Sequence, residues 1–425
     1  MRDARPESVS NRIRANNVSF ALVQQDAEED LLPNRQAFFS PLFFVLLALT
    51  SAAQQTSAAR IVNLTTPDGI VLKATYFDAG KPGPGVLLLH QCNRQRKVWD
   101  GLAERLASSG INVLTLDYRG YGESGGTPND KLTSEEQKKM ATEIWPRDFD
   151  LALEYLESQP GVVHAKVGAG GASCGVNNSI QLARRHSEIQ SLMLLSGPTD
   201  RAGRLFLQSS GLPIFVSAAD DDEFGNQVEP MQWWFSISPN SASRFEHYAT
   251  GGHGADMFAV HKELPDVITE WFTATLTNHP ASLPKTNGTA FQPQVIRTLE
   301  LIDKPGGADE VAKTLSQTRE HDPNAVLFPQ FIVNLLGYEH IQIGDAKGAV
   351  EILKLNVAGY PNSPNTYDSL ADAYLAAGEK YLALQNSKKV LELLPSDKSD
   401  SEAMRDGIRK SAEQKITQLD QPNPK

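Results

Sequence analysis

The pentapeptide Gly171-Ala172-Ser173-Cys174-Gly175 constrains this chain more than any other stretch. It follows the small-residue run Val167-Gly168-Ala169-Gly170 and precedes a helix-like segment from Asn177 to Arg185. A strand that turns into a helix through a single serine forces that residue into a backbone conformation tolerated only between small neighbours. Its hydroxyl then stands clear of the sheet, and the N–H of Cys174 points to where negative charge would develop beside it. In a doubly wound sheet, a base and an acid for such a serine are expected to follow late strands, at the edge where the strand carboxyl ends open.

The surrounding pattern has that character. Ile61 to Thr65 and Val71 to Phe77 flank the hairpin signal Pro67-Asp68-Gly69. Short apolar strands then follow at Gly85–Leu89, Asn112–Leu116, Lys166–Gly170, Ser191–Leu195, Ile214–Ala218 and Ser243–Tyr248. Amphipathic helical stretches separate them near 98–109, 147–159, 177–187, 201–210 and 228–236, and one near 264–276 follows. This alternation predicts an α/β fold, a doubly wound, mainly parallel sheet covered on both faces, within a domain spanning 54–278. Residues 279–295, rich in Pro, Asn, Thr and Ser, read as a linker, and 296–425 read as a small all-α domain.

That helical part repeats. Leu336, Gly344, Ala349 and Pro361 recur 34 residues later as Leu370, Gly378, Ala383 and Pro395. A 34-residue period with small residues at a helix crossing and a closing proline resembles the tetratricopeptide repeat, which implies a surface for a protein partner. Two copies cannot bury a core alone, so a capping helix near 295–320 or docking onto the first domain is expected.

Composition narrows the rest. A net charge of −11 over 425 residues, with no qualifying Lys/Arg cluster, argues against nucleic acid as a partner. Residues 1–53 read as an N-terminal extension and signal peptide. Arg35 precedes an apolar run from Phe39 to Leu49 and a small-residue cleavage site at Ser51-Ala52-Ala53. The run is too short for a spanning helix, so the expectation is a secreted or periplasmic protein with no stable membrane span after cleavage. Cys92 and Cys174 are the two cysteines, too few for a disulfide framework and wrongly spaced for zinc. They lie in two loops that must approach each other, and either a bond or two thiols is compatible with that. No metal or organic cofactor is expected. Gly120-Tyr121-Gly122-Glu123-Ser124-Gly125 has dinucleotide-loop spacing, but no helix opens on its third glycine.

Three carboxylates, Asp220, Asp221 and Asp222, follow the strand ending at Ala218, where an acid can orient an imidazole. His253, in Gly251-Gly252-His253-Gly254 after the last strand, is the expected base. The loop His90-Gln91-Cys92-Asn93-Arg94 is expected to supply a second oxyanion donor, the N–H of Gln91 ahead of that of Cys92, with His90 bracing the loop. The run Arg94-Gln95-Arg96-Lys97 reads as a solvated helix start, with attraction of an anionic substrate group as the alternative.

Four stretches carry a family resemblance: Leu89-His90-Gln91, Asp117 to Ser124, the serine pentapeptide, and Gly252-His253-Gly254. Together they resemble the α/β-hydrolase superfamily, most closely its dienelactone-hydrolase-like and small-esterase branch. The resemblance implies a serine hydrolase acting on small ester-type substrates through Ser173, an aspartate and His253. The strand-end pattern of this superfamily selects Asp221, with Asp222 as the alternative. The dienelactone branch often uses a cysteine nucleophile, which leaves Cys174 as the rival to Ser173. The 18 residues between Leu195 and Ile214 leave room for one lid helix, so an open site is expected. A second reading makes the chain a partner-binding repeat protein with a weakly active or inactive hydrolase domain.

Overall fold

A computed structural model of the chain describes residues 59–277 and 283–420. The expected leader near 35–53, and with it the expectation of export, lies outside those residues. Eight strands form one sheet: β1 (Ala59–Thr65), β2 (Val71–Phe77), β3 (Gly83–Leu89), β4 (Asn112–Leu116), β5 (Val162–Ala172), β6 (Ile189–Leu195), β7 (Ile214–Ala219) and β8 (Arg244–Tyr248). The helices of this part are α1 (Asp100–Ser108), α2 (Ser134–Lys139), α3 (Trp145–Glu157), α4 (Cys174–Arg185), α5 (Arg201–Ser209), α6 (Val228–Ile237), α7 (Met257–Val260) and α8 (Leu264–Leu276). The strand order is β1-β2-β4-β3-β5-β6-β7-β8, antiparallel at β1/β2 and β2/β4 and parallel elsewhere. The chain therefore winds one way from β3 to β4 and the other way from β5 onward, which opens a crevice at the carboxyl ends of β3 and β5.

The central strands are buried on both faces, which is why they read as unbroken apolar runs. In β3, Val86 and Leu88 face the layer of α1 and α8, where Trp271 and Phe272 are buried. Leu87 and Leu89 face the layer of α3 to α6. Two strands run further at their carboxyl ends than the sequence pattern suggests. β5 continues to Ala172 because Gly171 still pairs with Leu89 on one side and Leu194 on the other. β7 includes Ala219, which pairs with Tyr248.

The stretch expected as a linker seals the sheet edge. Gly288 N–H donates to Phe245 O at 2.8 Å, and Asn287 Oδ1 accepts His247 N–H at 2.6 Å. These bonds satisfy backbone groups of β8 that would otherwise offer an open edge.

Beyond it lie α9 (Pro293–Ile302), α10 (Gly307–Arg319), α11 (Gln330–Gln342), α12 (Ala346–Gly359), α13 (Pro364–Ala376), α14 (Lys380–Leu393) and α15 (Glu402–Leu419). Helices α11 and α12 form a hairpin closed at Gly344, and α13 and α14 repeat it 34 residues later with Gly378 at the turn. The repeated hairpins do not stand alone. Leu299, Ile302, Val311, Leu315, Ile332, Val333 and Leu336 belong to the same buried cluster as Trp233, Trp234 and Leu207 of the sheet-covering helices. At the far end α15 closes the stack. Its buried Lys415 lies 2.8 Å from carboxylate oxygens of both Asp368 and Asp372. Docking on one side and a closing helix on the other supply what two repeats lack.

Candidate active site

The serine turn is built by steric exclusion. Ser173 has φ 55° and ψ −121°, a region that non-glycine residues enter only when the surroundings impose it. Its N–H is held by Leu195 O at 2.9 Å. A Cβ on Gly171 would stand 2.1 Å from Gly175 O, and one on Gly175 would stand 2.4 Å from Leu89 O. Both flanking glycines are therefore required by backbone that cannot yield. They let α4 begin directly against the end of β3.

The loop after β3 is pinned from three sides. The His90 ring is fully buried and stacks on Tyr118, with ring centroids 3.9 Å apart. Its Nε2 accepts the Tyr118 N–H at 3.1 Å, so the proton sits on Nδ1, which donates to Gln91 O at 2.8 Å. Burial pushes the ring's pKa down to about 4, partly offset by the Gln91 hydrogen bond and the Asp117 charge. With both nitrogens engaged, His90 is a brace. Gln91 is also fully buried, and its Oε1 accepts the Ala255 N–H at 2.9 Å, tying this loop to the one that carries His253. Nothing local in the sequence marks that side-chain bond, which spans 164 residues. A disulfide joins Cys92 to Cys174 with the Cα atoms 5.9 Å apart. The bond occupies the Cys174 sulfur, which removes it as a rival nucleophile. The N–H groups of Gln91 and Cys174 donate to no described residue.

The basic run is consumed structurally. Arg96, fully buried, pairs with Asp117 and, at 2.8 Å, with Glu123. Arg94 holds Asp256 through two hydrogen bonds of 2.8 and 3.1 Å, and Lys97 reaches Glu123 at 2.9 Å. A cavity of about 570 Å³ opens beside Cys92, lined by Asn93, Arg94, Gln95, Tyr121 and Gly122 among others.

His253 is buried, and its Nδ1 lies 2.9 and 2.8 Å from the two oxygens of Asp222, whose side chain is wholly inaccessible. A carboxylate only accepts, so Nδ1 carries the proton and Nε2 presents its lone pair. The expectation of Asp221 is corrected here. Asp221 Oδ1 accepts the Gly252 N–H at 2.9 Å, and Asp220 pairs with His247 at 2.8 Å. The cause is the extra residue of β7: carrying the strand through Ala219 moves the inward position from Asp221 to Asp222. Gly254, next to His253, approaches so closely that a Cβ there would stand 3.0 Å from the Ala172 side chain. The histidine loop thus packs against the residue preceding Ser173. Phe224, 40% exposed, lies with its ring centroid 4.5 Å from that of His253. Among the described residues no group of three or more His, Cys, Asp or Glu side chains is placed to hold a metal ion. No helix among them is long and apolar enough to cross a membrane.

Residues 72–263 match the dienelactone hydrolase family. The α/β domain is thus similar to that family over most of its length. Among its relatives, an uncharacterized protein of Mycobacterium tuberculosis is 34% identical over 135 residues, 31% of this chain and 44% of that protein. The thiohydrolase aneE of Aspergillus aculeatus is 30% identical over 115 residues, 26% of this chain and 33% of that enzyme. The chain thus spans less than half the length of either relative. A solved esterase of Pyrococcus furiosus aligns with 52% of this chain and 93% of its own, at 20% identity and a TM-score of 0.42. The family match ends before α8 and leaves the helical part outside it.

Proposed function

We propose that this dienelactone hydrolase-like domain is a serine hydrolase that cleaves small ester-type acyl compounds, thioesters included. The observation that carries the reading is the His253–Asp222 pair, buried at the carboxyl edge of the sheet in the loop that packs beside Ser173. In this reading the Ser173 hydroxyl attacks the substrate carbonyl and gives its proton to His253 Nε2, while Asp222 orients the ring and stabilises its cation. The N–H groups of Gln91 and Cys174 receive the oxyanion, each contributing about 3 kcal/mol. The leaving alcohol or thiol takes the proton from His253, and water activated by the same ring releases the acid. The thiohydrolase among the relatives supports including thioesters. The short β6–β7 connection, with α5 alone, supports small or soluble acyl groups.

The helical part is read as a tetratricopeptide-type pair of hairpins, supported by the 34-residue recurrence of both helices. Export is proposed from the apolar segment 39–49 and supported by the disulfide, which persists in oxidising compartments. The deciding experiment compares wild type with Ser173→Ala on p-nitrophenyl acetate and on a short acyl thioester, together with fluorophosphonate labelling. Labelling at Ser173, and turnover lost in the variant, are expected; turnover retained by Ser173→Ala refutes the assignment.

A further inference from the structure

The turn that carries Asp222 is closed over itself. Phe224 N–H donates to Asp222 Oδ1 at 3.0 Å, and Gly225 N–H donates to Asp222 O at 3.2 Å. Phe224 lies against the His253 ring, so the turn holds both the carboxylate and one wall of the imidazole. The turn closes at Gly225, which has φ +94° and no side chain, so its backbone is bare on the outer side. That bare side is covered by α15, the last helix among the described residues. Met404, in the first turn of α15, places Sδ, Cε and Cγ at 3.4, 3.6 and 3.8 Å from where a side-chain carbon on Gly225 would stand. These are the three nearest heavy atoms to that point among the described residues, apart from Gly225 and its chain neighbours. The helix is itself anchored, because its Lys415 is buried on Asp368 and Asp372. The hairpins beneath it are anchored too, through the buried Arg204–Glu339 pair.

We propose that Met404 is a positioning residue for the proposed reaction: α15 presses the Asp222–Gly225 turn into the register that keeps Asp222 on His253. The inference rests on the hydrolase reading and adds to it that the helical part is a component of the active site. A thioether is suited to this seat, since its unbranched chain fills an irregular gap against bare backbone. A small displacement of the turn moves Asp222 out of line with Nδ1, and errors of this kind lower the chemical step rather than substrate binding.

The test uses the full chain carrying Met404→Ala, with Met404→Leu as the rescuing variant. Three quantities are measured: the rate of fluorophosphonate labelling at Ser173, kcat and KM on p-nitrophenyl acetate, and the downfield proton resonance of His253 Nδ1–H. Met404→Ala is expected to lower kcat and the labelling rate on the order of tenfold. KM should stay within about twofold, the downfield resonance should broaden or vanish, and Met404→Leu should restore all three. Where Met404→Ala does not fold, Met404→Gln against Met404→Leu replaces it with the same expectations. Wild-type labelling at Ser173 with an equal rate and an unchanged resonance in the variant overturns this inference alone. Absence of wild-type labelling at Ser173 overturns the hydrolase reading, and an unchanged Nδ1–H resonance in the variant then overturns the positioning role as well.

Discussion

Arg204 on α5 and Glu339 on α11 form a bidentate ion pair, with distances of 2.7 to 3.1 Å and side chains 6% and 4% exposed. Asp303, the residue that follows α9, joins them, 3.0 Å from Arg204 and also bonded to Arg201 and His340. Burial opposes ionisation of Asp303, but the His340 and Arg201 hydrogen bonds and the Arg204 charge hold its carboxyl well below the usual range. The pair spans 135 residues and crosses from the sheet-covering layer to the repeated hairpins.

Removing one partner leaves buried charge uncompensated, which costs far more than the pair contributes. Arg204→Met is expected to destabilise the chain by about 3–5 kcal/mol. Adding Glu339→Leu should recover part of that loss. Urea unfolding followed by tryptophan fluorescence, with Trp233 against Arg204, measures both. A double variant no more stable than the single one would contradict the pairing.

His340 makes this junction sensitive to pH. Its ring bonds Asp303 at 3.0 Å and Asp345 at 2.8 Å, and Arg201, which also faces Glu339, lies 3.5 Å from it. The Asp303 bond raises its pKa, burial opposes this, and the Asp345 bond adds to the rise. A raised pKa means that the folded state binds the proton more tightly. The stabilisation is therefore complete below the unfolded value of about 6.5 and is lost as pH climbs through the folded value. His340→Asn should cost more stability at pH 6 than at pH 9, as read from urea midpoints at the two pH values. An equal cost at both would contradict the charge on His340.

Asp221 and Asp222 are neighbours with different partners, and substitution separates them. Asp222→Asn should lower kcat by about 10³–10⁴-fold while leaving the fold intact, because the ring loses the partner that sets its tautomer. Asp221→Asn keeps an oxygen that can accept the Gly252 N–H and should stay within about threefold of wild type. Kinetics on one p-nitrophenyl ester compare the two directly, and equal losses would return the assignment to an open question.

The Cys92–Cys174 bond closes an 82-residue separation and links the two loops whose N–H groups face the proposed oxyanion. The variant Cys92→Ser/Cys174→Ser is expected to lose about 2–4 kcal/mol of stability. Its kcat should fall more than its KM rises, because looser donors weaken an interaction made in the transition state. Thermal melts and ester kinetics with and without reductant test it; a reduced protein with wild-type kcat would show that the bond serves stability alone.

Much of the scaffold was legible before any coordinates. The bounds of β2, β4 and α8 agree with the pattern in the chain, because alternating or unbroken apolar residues report directly which faces are covered. The 34-residue recurrence, the turn at Ser173 and the glycine loop around His253 were equally visible, since each is a local steric or periodic demand. The sequence pattern points one residue away from the carboxylate that meets His253, because strand length depends on pairing across the sheet. Only the Ala219–Tyr248 contact carries β7 that far.

What the chain determines by itself is therefore local: a parallel sheet, a strained serine at its edge, a histidine within a glycine-rich loop, and two matched helical hairpins. The tertiary structure decided which of three adjacent carboxylates meets the ring, that two cysteines 82 residues apart are joined, and that Met404 rests on the turn beside the site. Periodicity and excluded volume act between near neighbours and leave a mark in sequence. Pairings across 82 or 135 residues are set only when whole layers pack, and no short pattern encodes them.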